Sequence, residues 1–427
     1  MKKIFKTIAA IFAFIVLSVV MAEIYDLYLS GEIMPGKSTN VIVKNQKVYK
    51  NISEFTFPVG YETFHENESL NFLLNRTYSM GYARKEDMVL LGKRLGDRDQ
   101  WQSEMIKAAE EALADNRILN AAFYYRIAEF YTPWEDPDKD KLHHLFIKYF
   151  YRGVDTTDIE TARIPYGGSY ITSMKVKPKL RKPKGTIILH AGYDGFKEEM
   201  FSTMKYFSSQ GYAVISFECP WMIRGEEKSK IPFTYKWEKI ISPIIDHYQL
   251  EEVTLIGFSF GGWLALRAAA FEPRIKKVAA SSVSFDVNQY PNVLMQIITS
   301  LMMKNRDFVN TILYNSMEDD IQQDWFFSHL MHMTHTSTPY DASKVLSEIN
   351  ERNLHSHKIK QDVLILTGKD DRLVPYKMHN MQVKALVNAN SIIPLVFTAD
   401  VQAGHHCQVG NIELALSSIM NWMNKIE

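Results

Sequence analysis

Hydrophobic positions along this chain follow two periods, and the change falls after Gly153. Before it, from about Lys85, they recur at helical spacing. Trp101, Met105, Ile106 and Ala109 form an i, i+4, i+5, i+8 stripe behind a helix start at residues 97–100. Ile118, Ala121, Ala122, Tyr125 and Ala128 form a second stripe, broken by Pro133 and residues 136–139. Leu142, Leu145, Phe146, Tyr149 and Phe150 form a third. The aromatics Tyr124, Tyr125, Phe130 and Tyr131 read as helix-packing residues. From Glu23 to about Asn75 the pattern is mixed. Val41–Val43 and Phe55–Phe57 suit short strands, and no element is assigned there.

After Gly153 the period shortens. Residues 161–176 read as a hairpin turned near Gly167-Gly168. Buried strand segments then alternate with helices. The strands are residues 185–190, 212–217, 253–256, 277–282, 362–366 and 392–397; one helix begins near Lys197 and another spans about Tyr235 to Tyr248. Alternation of this kind predicts an α/β class protein with a mostly parallel sheet covered by helices on both faces. Residues 286–360 are too long for a plain connection and read as an inserted helical lid. The predicted organisation is a mixed and then helical cap region over 23–152, followed by an α/β catalytic domain over 153–427.

One turn in that alternation carries chemistry. Residues 253–256 are a strand, Gly257-Phe258-Ser259-Phe260-Gly261 is a tight turn, and an Ala- and Leu-rich helix follows from Trp263. A G-x-S-x-G turn in this setting holds a serine hydroxyl above the sheet edge and aims the next backbone N–H, that of Phe260, at a developing oxyanion. The glycines sit where strand and helix come close. A nucleophilic serine needs a base and a carboxylate to orient it. On a sheet of this kind they follow in the order serine, acid, histidine. Asp370 and Asp371 lie in the loop after strand 362–366, and His405 and His406 follow the last strand. Each of these residues has a plain alternative, as a loop cap or a surface histidine. Their order and placement after buried strands favour one aspartate as the acid and one histidine as the base. Tyr193, in the Ala191–Gly195 loop, is placed to give a second oxyanion N–H. Glu198 and Glu199 suit equally a helix start and a functional role. His329, His332 and His335 read as polar positions of lid helices, since spacing by threes drifts around a helix. Cys219, after a strand end, reads as an inert thiol.

Composition narrows the setting. Lys+Arg and Asp+Glu both number 49. A zero net charge carries no basic excess for nucleic acid. Two cysteines far apart, Cys219 and Cys407, make neither a disulfide framework nor a zinc pattern and read as free thiols. Lysines precede an uncharged stretch, Thr7–Ala22. This resembles an export signal, cleaved or kept as a membrane anchor over residues 1–22.

Three segments carry a family resemblance: residues 121–131 in the helical region, residues 191–199, and the elbow and helix over 257–274. With the acid and histidine segments, they make the chain similar to the bacterial α/β-hydrolases with an N-terminal helical cap, the group that includes dihydroxypseudooxynicotine hydrolase, and to related esterases. The resemblance runs from about Trp101 to the end. It implies the α/β-hydrolase fold, a helical cap over the site, Ser259 as nucleophile, Asp371 as acid and His405 as base. The loop at residues 218–225 is bulkier than the Gly-rich loop such relatives often carry.

The sequence therefore predicts an exported or membrane-tethered serine hydrolase that needs neither metal nor organic cofactor. It is expected to act on a small-molecule ester or similar acyl substrate. Cleavage of a C–C bond beside a ketone, a peptidase, and a non-catalytic binding protein are the alternatives.

Overall fold

The computed structural model describes residues 40–44, 49, 51–95, 98–223 and 229–425. Among these residues nine strands form one sheet in the order β1-β9-β8-β7-β6-β4-β5-β3-β2. They are β1 (Val41–Ile42), β2 (Ile159–Tyr166), β3 (Ser169–Val176), β4 (Thr186–His190), β5 (Ala213–Glu218), β6 (Val253–Phe258), β7 (Ile275–Ser281), β8 (Asp362–Gly368) and β9 (Ser391–Phe397). The β2–β3 and β3–β5 pairs are antiparallel and all others are parallel. Every residue of β5 is buried, as are most of β4, β7 and β8, because helices cover both faces. This is the α/β-hydrolase fold.

Among the described residues five helices lie between β1 and β2: α1 (Glu68–Ser79), α2 (Lys85–Arg94), α3 (Arg98–Ala114), α4 (Ile118–Phe130) and α5 (Pro137–Gly153). Those within and after it are α6 (Phe201–Ser209), α7 (Glu238–His247) and α8 (Phe260–Ala269). Next come α9 (Val293–Met302), α10 (Arg306–Asp319), α11 (Ile321–Thr334), α12 (Pro339–Leu346) and α13 (Glu351–Leu354), then α14 (Lys377–Ala385) and α15 (Ile412–Lys425). Helices α9–α13 are inserted between β7 and β8, where the sequence predicts helices.

The hairpin turns at Gly167 and Gly168, both at positive φ. Phe55–Phe57 is not a strand. Helix α1 lies in the segment left without an assignment. Its signal is local: Asn67 caps it by accepting from the N–H groups of Ser69 and Leu70, at 3.0 and 3.2 Å. Leu70, Leu73, Leu74 and Thr77 then bury one face at i, i+3, i+4, i+7. The expected N-terminal export signal or membrane anchor is corrected: among the described residues no helix is long and apolar enough to cross a membrane. Thr7–Ala22 lie outside the described residues.

The N-terminal helices are fastened to the sheet by a buried cluster of charges. Arg126, on α4, is 4% exposed. Its Nε donates to Glu199 Oε1 at 2.7 Å and its Nη2 to the Asp194 carbonyl and carboxylate at 3.1 and 3.0 Å; Nη1 pairs with Glu129. Phe130 and Phe196 flank the guanidinium, 5.1 and 4.7 Å from it. Lys139 pairs with the other Glu129 oxygen at 3.0 Å, and Arg76 of α1 with Glu199 at 2.5 Å. Glu198 and Glu199 are thus divided in role: Glu199 belongs to this cluster. Glu198 pairs with Lys197 at 2.8 Å and accepts from Tyr151 at 3.1 Å, and burial pushes its carboxyl up to about 7.

Removing one partner of a buried ionic cluster strands the others, so Arg126→Ala is expected to cost about 3–5 kcal/mol. Urea unfolding checks this. A loss below about 1 kcal/mol, the scale of an exposed pair, would show that the cluster does not hold the N-terminal helices.

Candidate active site

Ser259 stands between β6 and α8 at φ 57° and ψ −124°, a conformation that costs a non-glycine residue about 1–3 kcal/mol. The neighbouring glycines permit it. A Cβ on Gly257 would lie 2.1 Å from the Gly261 carbonyl oxygen, and one on Gly261 would lie 2.3 Å from the Ala191 carbonyl oxygen. The serine N–H donates to the Ser281 carbonyl at 2.8 Å, which ties the turn to β7.

Ser259 Oγ lies 2.8 Å from His406 Nε2. His406 Nδ1 lies 2.8 and 3.0 Å from the two oxygens of Asp371. Asp371 Oδ1 also accepts from the N–H groups of Leu373 and Val374, each at 2.9 Å. These bonds fix the carboxylate before it meets the ring. Asp370, by contrast, is exposed. Its N–H donates to the Gly404 carbonyl at 2.8 Å, so it holds the histidine loop from outside.

The histidine expectation is corrected. His406, not His405, lies between Ser259 and Asp371. Adjacent side chains in an extended segment point apart, and His405, at φ −83° and ψ 174°, faces Tyr61 on the cavity wall instead of Asp371. Its ring stacks on Tyr61 with centroids 3.6 Å apart. Cys407 then adopts φ 51°, and its N–H donates to Ser282 Oγ at 2.9 Å. Gln408 accepts from Ser281 Oγ at 2.8 Å. These contacts press His406 inward. Serial spacing cannot choose between neighbours; the buried anchors on either side of a residue can.

Electrostatics follow from this burial. Burial opposes a charged His406 ring, but the Asp371 carboxylate outweighs it and holds the imidazole well above the ordinary histidine range. Burial likewise works against the Asp371 carboxylate, and the His406 charge and the hydrogen bonds to it bring it below the usual value. Burial lowers His405. His190, at the end of β4, is pushed down to about 3 by burial and stays neutral beneath the elbow.

The Ala191–Gly195 loop passes beside the serine. A Cβ on Gly192 would lie 3.2 Å from Ser259 Cβ. Phe260 opens α8, whose first N–H groups have no partner within the helix. The two expected oxyanion residues thus flank Ser259 on adjoining turns, and their side chains meet edge to face at 5.7 Å.

A cavity of about 460 Å³ opens onto Ser259 and His406. Its wall draws Tyr61 from the N-terminal segment, Phe72 and Arg76 from α1, Phe130 from α4 and Trp325 from α11. Part of that wall, including Tyr61, His65 and Phe72, comes from the segment in which the sequence analysis assigned no element. Of the lid histidines, His329 and His332 face backbone carbonyls, those of Tyr193 and Trp221, each at 3.1 Å. His335 ends α11 in the left-handed conformation. Cys219 is a free, buried thiol, raised well above its ordinary value by burial and by Glu218. Cys407 is also free. Residues 224–228 of the bulky loop lie outside the described residues.

Fold and site together define a hydrolase of the α/β class. A model described as the alpha/beta hydrolase family matches residues 187–408, just over half of the chain, and the protein belongs to that family. A hydrolase of a Fusarium species is 25% identical over 320 residues, covering 65% of this chain and 74% of that protein. The 20-hydroxy-prefusarin hydrolase of Gibberella moniliformis is 28% identical over 313 residues, covering 64% and 72%. The solved structure of 2,6-dihydroxy-pseudo-oxynicotine hydrolase superposes with a TM-score of 0.57 at 18% identity, covering 82% of this chain and 94% of that one.

Ring-nitrogen NMR across pH is expected to show His406 keeping its second proton above the ordinary value of about 6.5 and His405 losing its own below it. The sign for stability follows. Because the folded value of His406 is raised, its contribution is full below the unfolded value and is lost as pH rises through the folded one. A His406 that titrates below His405 would contradict the Asp371 contact.

Proposed function

We propose that the protein is a serine hydrolase acting on a carboxylic ester or similar acyl substrate. The observation that carries this reading is the unbroken chain from Ser259 through His406 to Asp371, opening on an aromatic-walled cavity. His406 Nε2 takes the Ser259 proton as Oγ attacks the carbonyl carbon. Asp371 holds the Nδ1–H tautomer and stabilises the imidazolium. The N–H groups of Phe260 and Tyr193 receive the oxyanion. Collapse expels the alcohol, which takes the proton from His406, and a water activated by the same ring releases the acid. Ester cleavage asks for nothing more than these groups.

Ser259→Ala is expected to abolish fluorophosphonate labelling while the circular dichroism spectrum is kept. His406→Gln should lower kcat by roughly 10⁴-fold or more and Asp371→Asn by about 10²–10⁴-fold, with His405→Gln and Asp370→Asn within about tenfold. A larger loss at His405 than at His406 reverses the assignment. Wild-type protein that is folded and never labels sinks the reading. A screen of nitrophenyl esters of graded chain length reads the acyl preference.

Catalysis needs a neutral His406, and Asp371 raises the ring. The acid limb of kcat/KM should therefore lie above the ordinary histidine value, and Asp371→Asn should move the residual limb to lower pH. A wild-type rate that is flat from pH 5 to pH 8 contradicts the base assignment.

A further inference from the structure

The residue proposed as second oxyanion donor is not held by its own loop. Gly192 precedes Tyr193, and glycine leaves the peptide between them the widest rotational freedom of any residue. What restrains Tyr193 comes from elsewhere. His329 Nε2, on α11, lies 3.1 Å from the Tyr193 carbonyl oxygen. His329 Nδ1 lies 3.1 Å from Trp134 Nε1, in the turn between α4 and α5. An indole nitrogen only donates. Nδ1 must therefore accept, and the ring proton sits on Nε2 and is donated to the carbonyl. The tautomer is set by the indole. The Tyr193 phenol donates to the Phe326 carbonyl at 2.9 Å, and its ring stacks on Phe326 at 5.2 Å. The next carbonyl, that of Asp194, accepts from Arg126. His332, one turn along α11, stacks on Trp134 at 3.6 Å and reaches the Trp221 carbonyl, which keeps the indole in place.

We infer that His329 is a positioning residue: it couples the inserted helices to the oxyanion hole by holding the Tyr193 peptide. The inference rests on the serine hydrolase reading above. The donor N–H of Tyr193 lies on the same residue as one pinned carbonyl and one residue before the other, and its aim over Ser259 is set by α11 and by Trp134. The loop is competent when α11 is seated. The Trp134–His329–Tyr193 relay makes the seating of an inserted helix a condition for stabilising the oxyanion.

The test compares His329→Ala, His329→Gln and Trp134→Phe with wild type on one nitrophenyl ester and on fluorophosphonate. The phosphonyl oxygen occupies the same hole, so its labelling rate reads the donor without turnover. Losing an oxyanion donor costs about 10²–10³-fold, so loosening one in His329→Ala should lower kcat and the labelling rate by about 10–10²-fold with KM little changed. Glutamine keeps an N–H donor and should recover most of the loss. Trp134→Phe keeps a ring against His332 but removes the indole N–H, and should give a smaller loss of the same kind. Melting temperatures separate this from a packing role. If His329→Ala is folded, melts lower, and labels at the wild-type rate, the inference is overturned. It is also overturned if alanine and glutamine lose kcat equally. A wild type that does not label at all overturns the hydrolase reading instead.

Discussion

The buried guanidinium of Arg126 is the constraint on which the rest of the arrangement depends. A guanidinium withdrawn from water is tolerated only where its donors are met. Here they are met by groups from two separate parts of the chain: Glu129 on the same helix, and Asp194 and Glu199 beyond β4. The N-terminal helices therefore cannot settle anywhere else on the sheet without abandoning these bonds. These bonds tie the N-terminal helices, which give the cavity Phe72, Arg76 and Phe130, to the loop after β4. Arg126 also makes Phe130 a wall of the cavity, since that ring packs on the guanidinium it helps to bury.

The loop after β4 is where these forces converge. Gly192 is pressed against Ser259 by the elbow, Asp194 is drawn by Arg126, and Tyr193 is held by α11. Such a loop has little slack. A shape that glycine alone would leave loose is made definite by contacts with three separate elements. This is how the fold keeps a site built largely from connections in register.

The sheet was legible in the sequence because buried strands announce themselves as runs of Val, Ile and Leu bounded by turn residues. The elbow was legible because its glycines stand where a Cβ would lie within 2.5 Å of a neighbouring backbone carbonyl, which only glycine avoids. Asp371 could be separated from Asp370 through the family resemblance. His406 could not be separated from His405 by any periodic argument, because the two differ only in which neighbours anchor the chain beside them. Helix α1 was missed although its cap and stripe were present; Asn67 and Leu70 lie just inside a stretch whose first part has no clear period. Arg126 lies within residues 121–131, a segment that carries the family resemblance, but its role depends on residues about seventy positions away, a scale of contact that local pattern does not carry.

The two histidines of α11 grip the chain at Tyr193 and Trp221, behind two different strands of the sheet. Inserted helices above a conserved architecture are commonly treated as exchangeable modules for altering what an enzyme accepts. In this protein the module is stitched into the scaffold. A transplanted segment lacking a donor opposite the Tyr193 carbonyl would bring a new pocket and a slackened loop together. Variation in selectivity is better sought at Phe72, Phe130 and Trp325, whose rings shape the cavity and leave the stitching intact.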